Sequence, residues 1–247
     1  MFKKSETRFL ETIYIKPLFE ALPPVVAVYP SGETIPENLL RFSIEFDAPP
    51  NEAVLPKIQL QLSDGVFIEE PFLNQELWSP DCRRVTLLLH PGRVKSDLVA
   101  HQRFGRAFEV GDVLQLTIEG KCIKSWQVEL AKASALQPMQ WHLSSLKKNT
   151  FSPLQVTFNE SIDVGGQELI AVVDSLDCKV AGKTGLGVGE KQWIFTPLQV
   201  WKYETYHLAI HPLLEDASGN TIGSAFEYSS AMRIERRVPI RLPIMVD

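Results

Sequence analysis

The sequence predicts an all-β protein of two tandem β-sandwiches. Three observations carry this. Short runs alternate apolar and polar residues with period 2, the mark of half-buried strands. Turn-forming residues separate the runs, with 17 Pro and 14 Gly spread over 247 residues. The second half of the chain repeats the strand pattern of the first.

In the first half, Phe42, Ile44 and Phe46 alternate with Ser43 and Glu45, and Ile58, Leu60 and Leu62 with Gln59 and Gln61. Val85, Leu87 and Leu89 follow the polar turn Ser79-Pro80-Asp81. Leu114, Leu116 and Ile118 form a fourth strand, and Trp126, Val128 and Leu130 a fifth. The pattern then restarts with Leu154, Val156 and Phe158. It continues through the apolar run 169–173, then Trp193 and Phe195, then Tyr206, Leu208 and Ile210, and finally Phe226 and Tyr228. Pro30-Ser31-Gly32, Ser63-Asp64-Gly65, Pro91-Gly92, Gly165-Gly166 and Ser218-Gly219-Asn220 are turns, because Gly and Asn accept positive φ and Pro presets φ. One short helix is expected near Phe9, Leu10, Ile13 and Phe19, with Pro17 at or near its end.

Residues 40–47 align with 152–159, 85–91 with 191–197, and 113–118 with 205–210, in the same order. The first copy carries an extra loop over 92–109. The expected organisation is an N-terminal extension (1–22), a first sandwich (23–135), a second (136–232) and a C-terminal tail (233–247). A hinge is placed near 134–140, stiffened by Pro138. In the tail, Val238, Ile240, Leu242 and Ile244 share one face with Pro239 and Pro243 on the other, which suits an edge strand packed back on a sandwich or added to a partner's sheet.

The apolar fraction of 45% is that of a globular chain and excludes a disordered, collagen-like or small disulfide-rich class. With 25 basic and 30 acidic residues the net charge is −5, so the global basic field of a dedicated nucleic-acid binder is missing. No stretch approaches the ~20 apolar residues of a membrane span. Lys3 and Lys4 open the sequence, but Ser5, Glu6, Thr7, Arg8 and Glu11 interrupt any apolar signal region after them. Cys82, Cys122 and Cys178 form no CxxC motif and are expected to be buried free thiols; a Cys82–Cys122 bridge stays open.

The second half, from LQVTFNESID through KQWIFTP and YHLAI to EDASGN, resembles the Ig-like domains repeated in bacterial S-layer and other surface proteins. The matching features are Thr157-Phe158-Asn159-Glu160 with Ile162-Asp163, Trp193 to Pro197, Tyr206 to Ile210, and Asp216 to Asn220. The first half is similar to uncharacterised two-domain bacterial Ig-like proteins through Val28 to Pro49, Leu77 to Lys95, and Phe108 to Ile118, with Val113-Leu114 where those relatives carry an aromatic. The resemblance covers about residues 23–230. It implies Ig-like sandwiches and an extracytoplasmic location, periplasmic or surface, and assigns no activity.

Several residues are candidates for binding. Arg93, Lys95, His101, Arg103 and Arg106 fall in the loop present only in the first copy, and loops on a rigid sandwich often carry binding. Such a basic loop suits a carboxylate, a phosphate or an anionic sugar, and packing over the sandwich end is the structural alternative. Trp78 and Trp201 lie beside turns and are the surface candidates for sugar stacking, whereas Trp126 and Trp193 read as core. His207 and His211 have helical metal-pair spacing, but on a strand they stand about 13 Å apart, too far to share an ion. Glu215-Asp216-Ala217-Ser218-Gly219-Asn220 carries oxygens that suit Ca²⁺ but reads better as a capped turn. Gly182-Lys183-Thr184 has no P-loop context and reads as a hairpin loop. No serine-hydrolase elbow is present. A glycosidase pair hidden among Glu69, Glu70, Glu76, Asp174 and Asp177 would be invisible to spacing.

The expectation is therefore a non-catalytic structural or protein-interaction module of the bacterial cell envelope, without cofactor or metal. Its partner would be another envelope protein or a surface glycan, not nucleic acid. A carbohydrate- or anion-binding module using the basic loop and Trp78 is the alternative, and a glycoside hydrolase is less favoured.

Overall fold

The computed structural model describes residues 21–90, 93, 105–226 and 238–247. In the first half, β1 (Val25–Tyr29), β3 (Arg41–Phe46), β6 (Arg84–Leu89) and β5 (Phe72–Trp78) form one sheet in the order β1-β3-β6-β5. Facing it, β2 (Thr34–Pro36), β8 (Lys121–Glu129), β7 (Val113–Ile118) and β4 (Ile58–Leu62) form a second in the order β2-β8-β7-β4. Neighbours are antiparallel except that β2 runs parallel to β8. Lettered in chain order, with β1 and β2 as two halves of the first strand, this is ABED against CFG, the immunoglobulin arrangement.

The second half repeats it. β9 (His142–Leu143), β10 (Leu154–Thr157), β13 (Gln192–Pro197) and β12 (Gly182–Leu186) make the ABED sheet. The CFG sheet is β11 (Ile170–Val173), β14 (Tyr206–Ile210) and β15 (Ile240–Ile244). A parallel bridge between Leu146 and Val246 stands where β2 meets β8 in the first sandwich. The protein is thus all-β, with two tandem Ig-like sandwiches.

Alternation places each core. Phe42, Ile44 and Phe46 point inward from β3 and meet Leu114, Leu116 and Trp126 of the facing sheet. The Phe42 and Trp126 ring centroids lie 5.1 Å apart. The second core gathers Leu154, Val156, Trp193, Phe195, Leu208 and Leu242. Burying such a side chain contributes ~1.5–3 kcal/mol, provided its polar atoms are bonded. The tryptophans meet that condition: Trp126 donates to the Pro30 carbonyl at 2.8 Å, Trp193 to Gln167 at 3.2 Å and Trp201 to Ser152 at 2.8 Å.

Tyr206 opens β14, and its hydroxyl accepts the Lys202 amide at 3.2 Å and donates to Glu204 at 2.6 Å. This is the tyrosine corner of Ig domains. The first sandwich has Val113-Leu114 at the corresponding strand start and no such corner. The two copies also differ in register. Phe42 pairs with Leu87, whereas Val156, not Leu154, pairs with Trp193. The shift is two residues, which keeps every side chain on its face.

Some expectations are corrected. Cys82, Cys122 and Cys178 are free but exposed, not buried. Cys82 lies in a turn at φ 55°, Cys122 follows the β7–β8 turn, and Cys178 sits in the turn after β11. Trp201 is buried rather than at the surface, packed on Phe195 and at right angles to Tyr206. Gly182-Lys183-Thr184 is not a loop but the start of β12, paired with Pro197, Thr196 and Phe195. A Cβ on Gly182 would lie 2.3 Å from the Phe195 ring, so glycine lets that ring cover the strand. In the C-terminal segment β15 lies at the edge of its sheet and pairs with β14 over five residues, Pro243 facing His207. The expected N-terminal helix lies outside the described residues.

Candidate functional site

The sequence-predicted basic loop does not present a cluster of free cations among its described residues. Arg93 is buried and its guanidinium donates to the Glu69 carbonyl. Arg106 pairs with Glu37 at 2.7 Å. Lys95, His101 and Arg103 lie outside the described residues. Trp78 is half-buried, tilted against Phe46, and donates to Glu76 at 3.0 Å. Glu76 in turn accepts the amides of Val54 and Leu55 at 2.7 and 2.6 Å, which gives this carboxylate a structural task. Asp177 pairs with Arg241, and Asp174 accepts the amides of Leu176 and Cys178 in its turn. Among the described residues no group of three or more His, Cys, Asp or Glu side chains is placed to hold a metal ion.

The polar chemistry concentrates instead at the junction of the two sandwiches. The turn after β1 meets the turn before β13. The Ser31 amide donates to both carboxylate oxygens of Glu190, each at 3.1 Å, and the Ser31 hydroxyl accepts the Gly189 amide at 2.9 Å. Lys124 of β8 donates to the Ser31 carbonyl at 2.9 Å. Gly189 and Glu190 both hold positive φ (70° and 52°), which aims these groups across the junction. Glu190 is only 2% exposed. Burial pushes its carboxyl above the usual range, the Ser31 bonds pull the other way, and nearby Asp163 pushes it further up.

A second contact is ionic. Arg41, at the start of β3, reaches Glu215 at 2.6 Å and lies 3.7 Å from Asp163. Burial raises the Asp163 carboxyl despite the guanidinium beside it. Tyr29, which donates to Glu45 at 3.3 Å, is pushed up to about 12 by burial and by that carboxylate. Ser43 leaves the apolar alternation of β3 yet is buried, because the junction covers it and its hydroxyl bonds Thr86 at 2.8 Å.

The third contact fixes the connecting segment. Asn38 donates to the Lys132 carbonyl at 2.7 Å and accepts its amide at 2.9 Å, while Asn220 donates to the same carbonyl at 3.0 Å. Ser218 donates to Asn38 at 3.2 Å. The Asp216–Asn220 turn is capped as the sequence suggests: Asp216 accepts the amides of Ser218 and Asn220 and the Asn220 side chain. Burial raises the Asp216 carboxyl, while Asn220 opposes the shift. Gly219 holds φ +79°, and a Cβ there would come 2.6 Å from Leu40 of the first sandwich. Beyond Lys132, Leu136 bridges Ile222, and Pro138–Gln140 makes one 3₁₀ turn.

Beside these contacts lies an open cleft of about 460 Å³, lined by Glu33, Glu129, Lys132, Glu160, Lys191 and Ser218 among others. Lys132 spans it to Glu160 at 2.9 Å. Sequence reasoning missed Ser31, Arg41, Asp163 and Glu190, because their partners are 122 to 174 residues away or sit in ordinary turns. The Asp216–Asn220 turn was found by its chemistry, but not its role in the junction. The arrangement is suited to fixing one sandwich on the other, since Ser31 with Gly189 and Glu190, Arg41 with Asp163 and Glu215, and Asn38 with Ser218 bond directly across the contact.

The class that this fold defines is a pair of tandem Ig-like sandwiches. No protein-family model matches the chain, and no curated protein sequence matches it. Among solved structures, Mycobacterium tuberculosis L,D-transpeptidase 1 is similar over 92% of this chain and 99% of its own, at 12% identity and TM-score 0.33. The tandem Ig repeats of Dlar align over 83% and 96%, at 12% identity and TM-score 0.24. Domains 5–6 of the S-layer protein SbsC align over 92% and 98%, at 11% identity and TM-score 0.23. No helix among the described residues is long and apolar enough to cross a membrane.

Proposed function

We propose that the protein is a non-catalytic interaction module of the bacterial cell envelope, in which two Ig-like sandwiches act as one body and present their surfaces to a protein partner. The observation that carries this reading is the junction. Ser31 with Glu190, Arg41 with Asp163 and Glu215, and Asn38 with Asn220 around Lys132 bond the two halves at three separate points. Inter-domain contacts are by default mobile unless they are large or well bonded. A junction with this many buried directional bonds supports a spacer of fixed geometry. The described part of the basic loop supports the same reading, since Arg93 and Arg106 are held by Glu69 and Glu37.

The test is fractionation of the native cell followed by capture of the full-length protein with whatever accompanies it. Recovery with envelope proteins is expected. Recovery free in the cytosol overturns the location, and saturable hydrolase or transferase turnover by the purified protein overturns the non-catalytic reading.

A further inference from the structure

The junction contains one polar group that the direct contacts leave unbonded. Arg41 opens β3, and Glu215 takes a terminal nitrogen of its guanidinium at 2.6 Å. The Arg41 Nε–H is buried and has no hydrogen-bond partner among the described residues. Asp163 faces it at 3.7 Å, close enough for an ion pair and too far for a hydrogen bond. Buried donors are rarely left unpaired, because each then bears its full desolvation cost. A polar gap of this length is the usual sign of a bridging water.

Neither side can close the gap without giving up another bond. The guanidinium is a rigid plane, and Glu215 holds its terminal nitrogen while the backbone of Arg41 is in register with Leu88. On the other side, Asp163 Oδ1 accepts the Gly165 amide at 2.8 Å, and the Asp163 amide donates to the Glu215 carbonyl at 2.9 Å. Glu215 therefore grips both partners, its side chain on Arg41 and its backbone on Asp163.

Beside the gap lies a cavity of about 10 Å³ with walls from both sandwiches. Tyr29, Arg41 and Ser43 line it from the first, and Asp163 and Glu190 from the second, with apolar groups completing the wall. A water needs roughly 10–15 Å³ of such space and two to four polar partners. The Tyr29 hydroxyl is engaged with Glu45 at 3.3 Å and the Ser43 hydroxyl with Thr86 at 2.8 Å. A carboxylate offers about four acceptor sites, so Asp163, holding Gly165, and Glu190, holding Ser31, can each take another donor. Charge then selects the occupant. A cation there meets the Arg41 guanidinium, and an anion meets the Asp163 and Glu190 carboxylates. A neutral molecule that both accepts and donates suits the site, and at this volume that molecule is water.

We propose that one water occupies this cavity, accepting the Arg41 Nε–H and donating to Asp163 and Glu190, and so adds a solvent-mediated contact to the three direct ones at the junction. Because its walls belong to both sandwiches, release of this water requires them to part, and its residence time reports how often the junction opens. The assignment concerns the junction itself and does not depend on the envelope or partner reading.

Two measurements on the full-length protein test it. One is a crystal structure at a resolution that orders individual waters. The other is magnetic relaxation dispersion of water oxygen-17, which counts long-lived waters in solution, for the wild type and for Arg41→Lys. The substitution keeps the positive charge and removes the Nε–H. The expected result is a density peak at about 2.7–3.2 Å from both Arg41 Nε and an Asp163 oxygen, and the loss of one long-lived water in Arg41→Lys. Thermal unfolding shows whether that variant is folded, and the wild-type structure decides the matter where it is not. No peak at the site overturns the proposal, whether or not Arg41 has closed directly onto Asp163. So does an equal count of long-lived waters in a folded Arg41→Lys. An anomalous signal at the site in crystals grown with bromide or rubidium makes the occupant an ion and likewise overturns it.

Discussion

The amide of Ser31 donates to both carboxylate oxygens of Glu190 across 159 residues of sequence, and this links the first sandwich to the second through a nearly inaccessible carboxylate. Removing the acceptor leaves a partly buried amide unpaired. Glu190→Ala is expected to lower stability by about 1–3 kcal/mol in urea unfolding, while Glu190→Gln, which keeps one acceptor, should stay within about 1 kcal/mol of wild type at neutral pH.

The same carboxylate gives the junction a pH response. Glu190, Asp163 and Asp216 are all raised by burial, so the folded protein takes up protons before the unfolded chain does. Stability from these groups is greatest below their unfolded values and is lost as pH rises through the raised folded ones. Unfolding free energy measured from mildly acidic to neutral pH should therefore fall, and Glu190→Gln should flatten the fall. A wild-type curve that rises over that interval would sink this account.

Arg41 stands between two carboxylates with only 18% of its side chain exposed. Arg41→Ala strands Asp163 and Glu215 and is expected to cost about 3 kcal/mol, as for a partly buried pair losing one member. Arg41→Leu combined with Asp163→Leu should recover part of that loss. Full additivity of the two single substitutions would show that they do not interact.

Gly219 is required twice, by its φ of +79° and by the closeness of Leu40. Gly219→Ala should destabilise by about 1–3 kcal/mol, from left-handed strain and overpacking together. Pairing it with Leu40→Ala should relieve the packing share and leave the backbone share, a difference that chemical denaturation resolves.

Tyr206→Phe removes the hydroxyl that holds the Lys202 amide and should cost about 1 kcal/mol. Trp201→Ala, at the same corner, opens a cavity against Phe195 and Tyr206 and should cost about 3–5 kcal/mol.

How much of this the sequence reveals depends on the range of the interaction. Phe42, Ile44 and Phe46, or Leu114 and Leu116, are readable as inward-facing strand residues because a strand displays its burial every second position. The Asp216–Asn220 cap is readable because donor and acceptor are four residues apart. Trp201 is misread because nothing beside it in sequence tells that Phe195 and Tyr206 fold over it. Lys183 and Thr184 are misread because glycines at 182, 185, 187 and 189 suggest a loop, whereas Gly182 serves the Phe195 ring. The cysteines are misread from the average burial of their residue type, against turns that place each at the surface. The junction is the least legible part, since Arg41, Asp163 and Glu190 each look like an ordinary charged residue on a strand or turn.

The pairing of β15 with β14, and of residues 146 and 148 with the last residues of the described chain, has a consequence for synthesis. Every described strand of the first sandwich is encoded before residue 130, so that sandwich can close while translation continues. The second sandwich lacks its final strand until residue 244 has emerged, and until then β14 offers an unpaired edge. Domains made in this order fold in sequence. The finished first sandwich, with Ser31, Asn38 and Arg41 already in place, then stands beside the incomplete second one and supplies a surface against which its loops can settle.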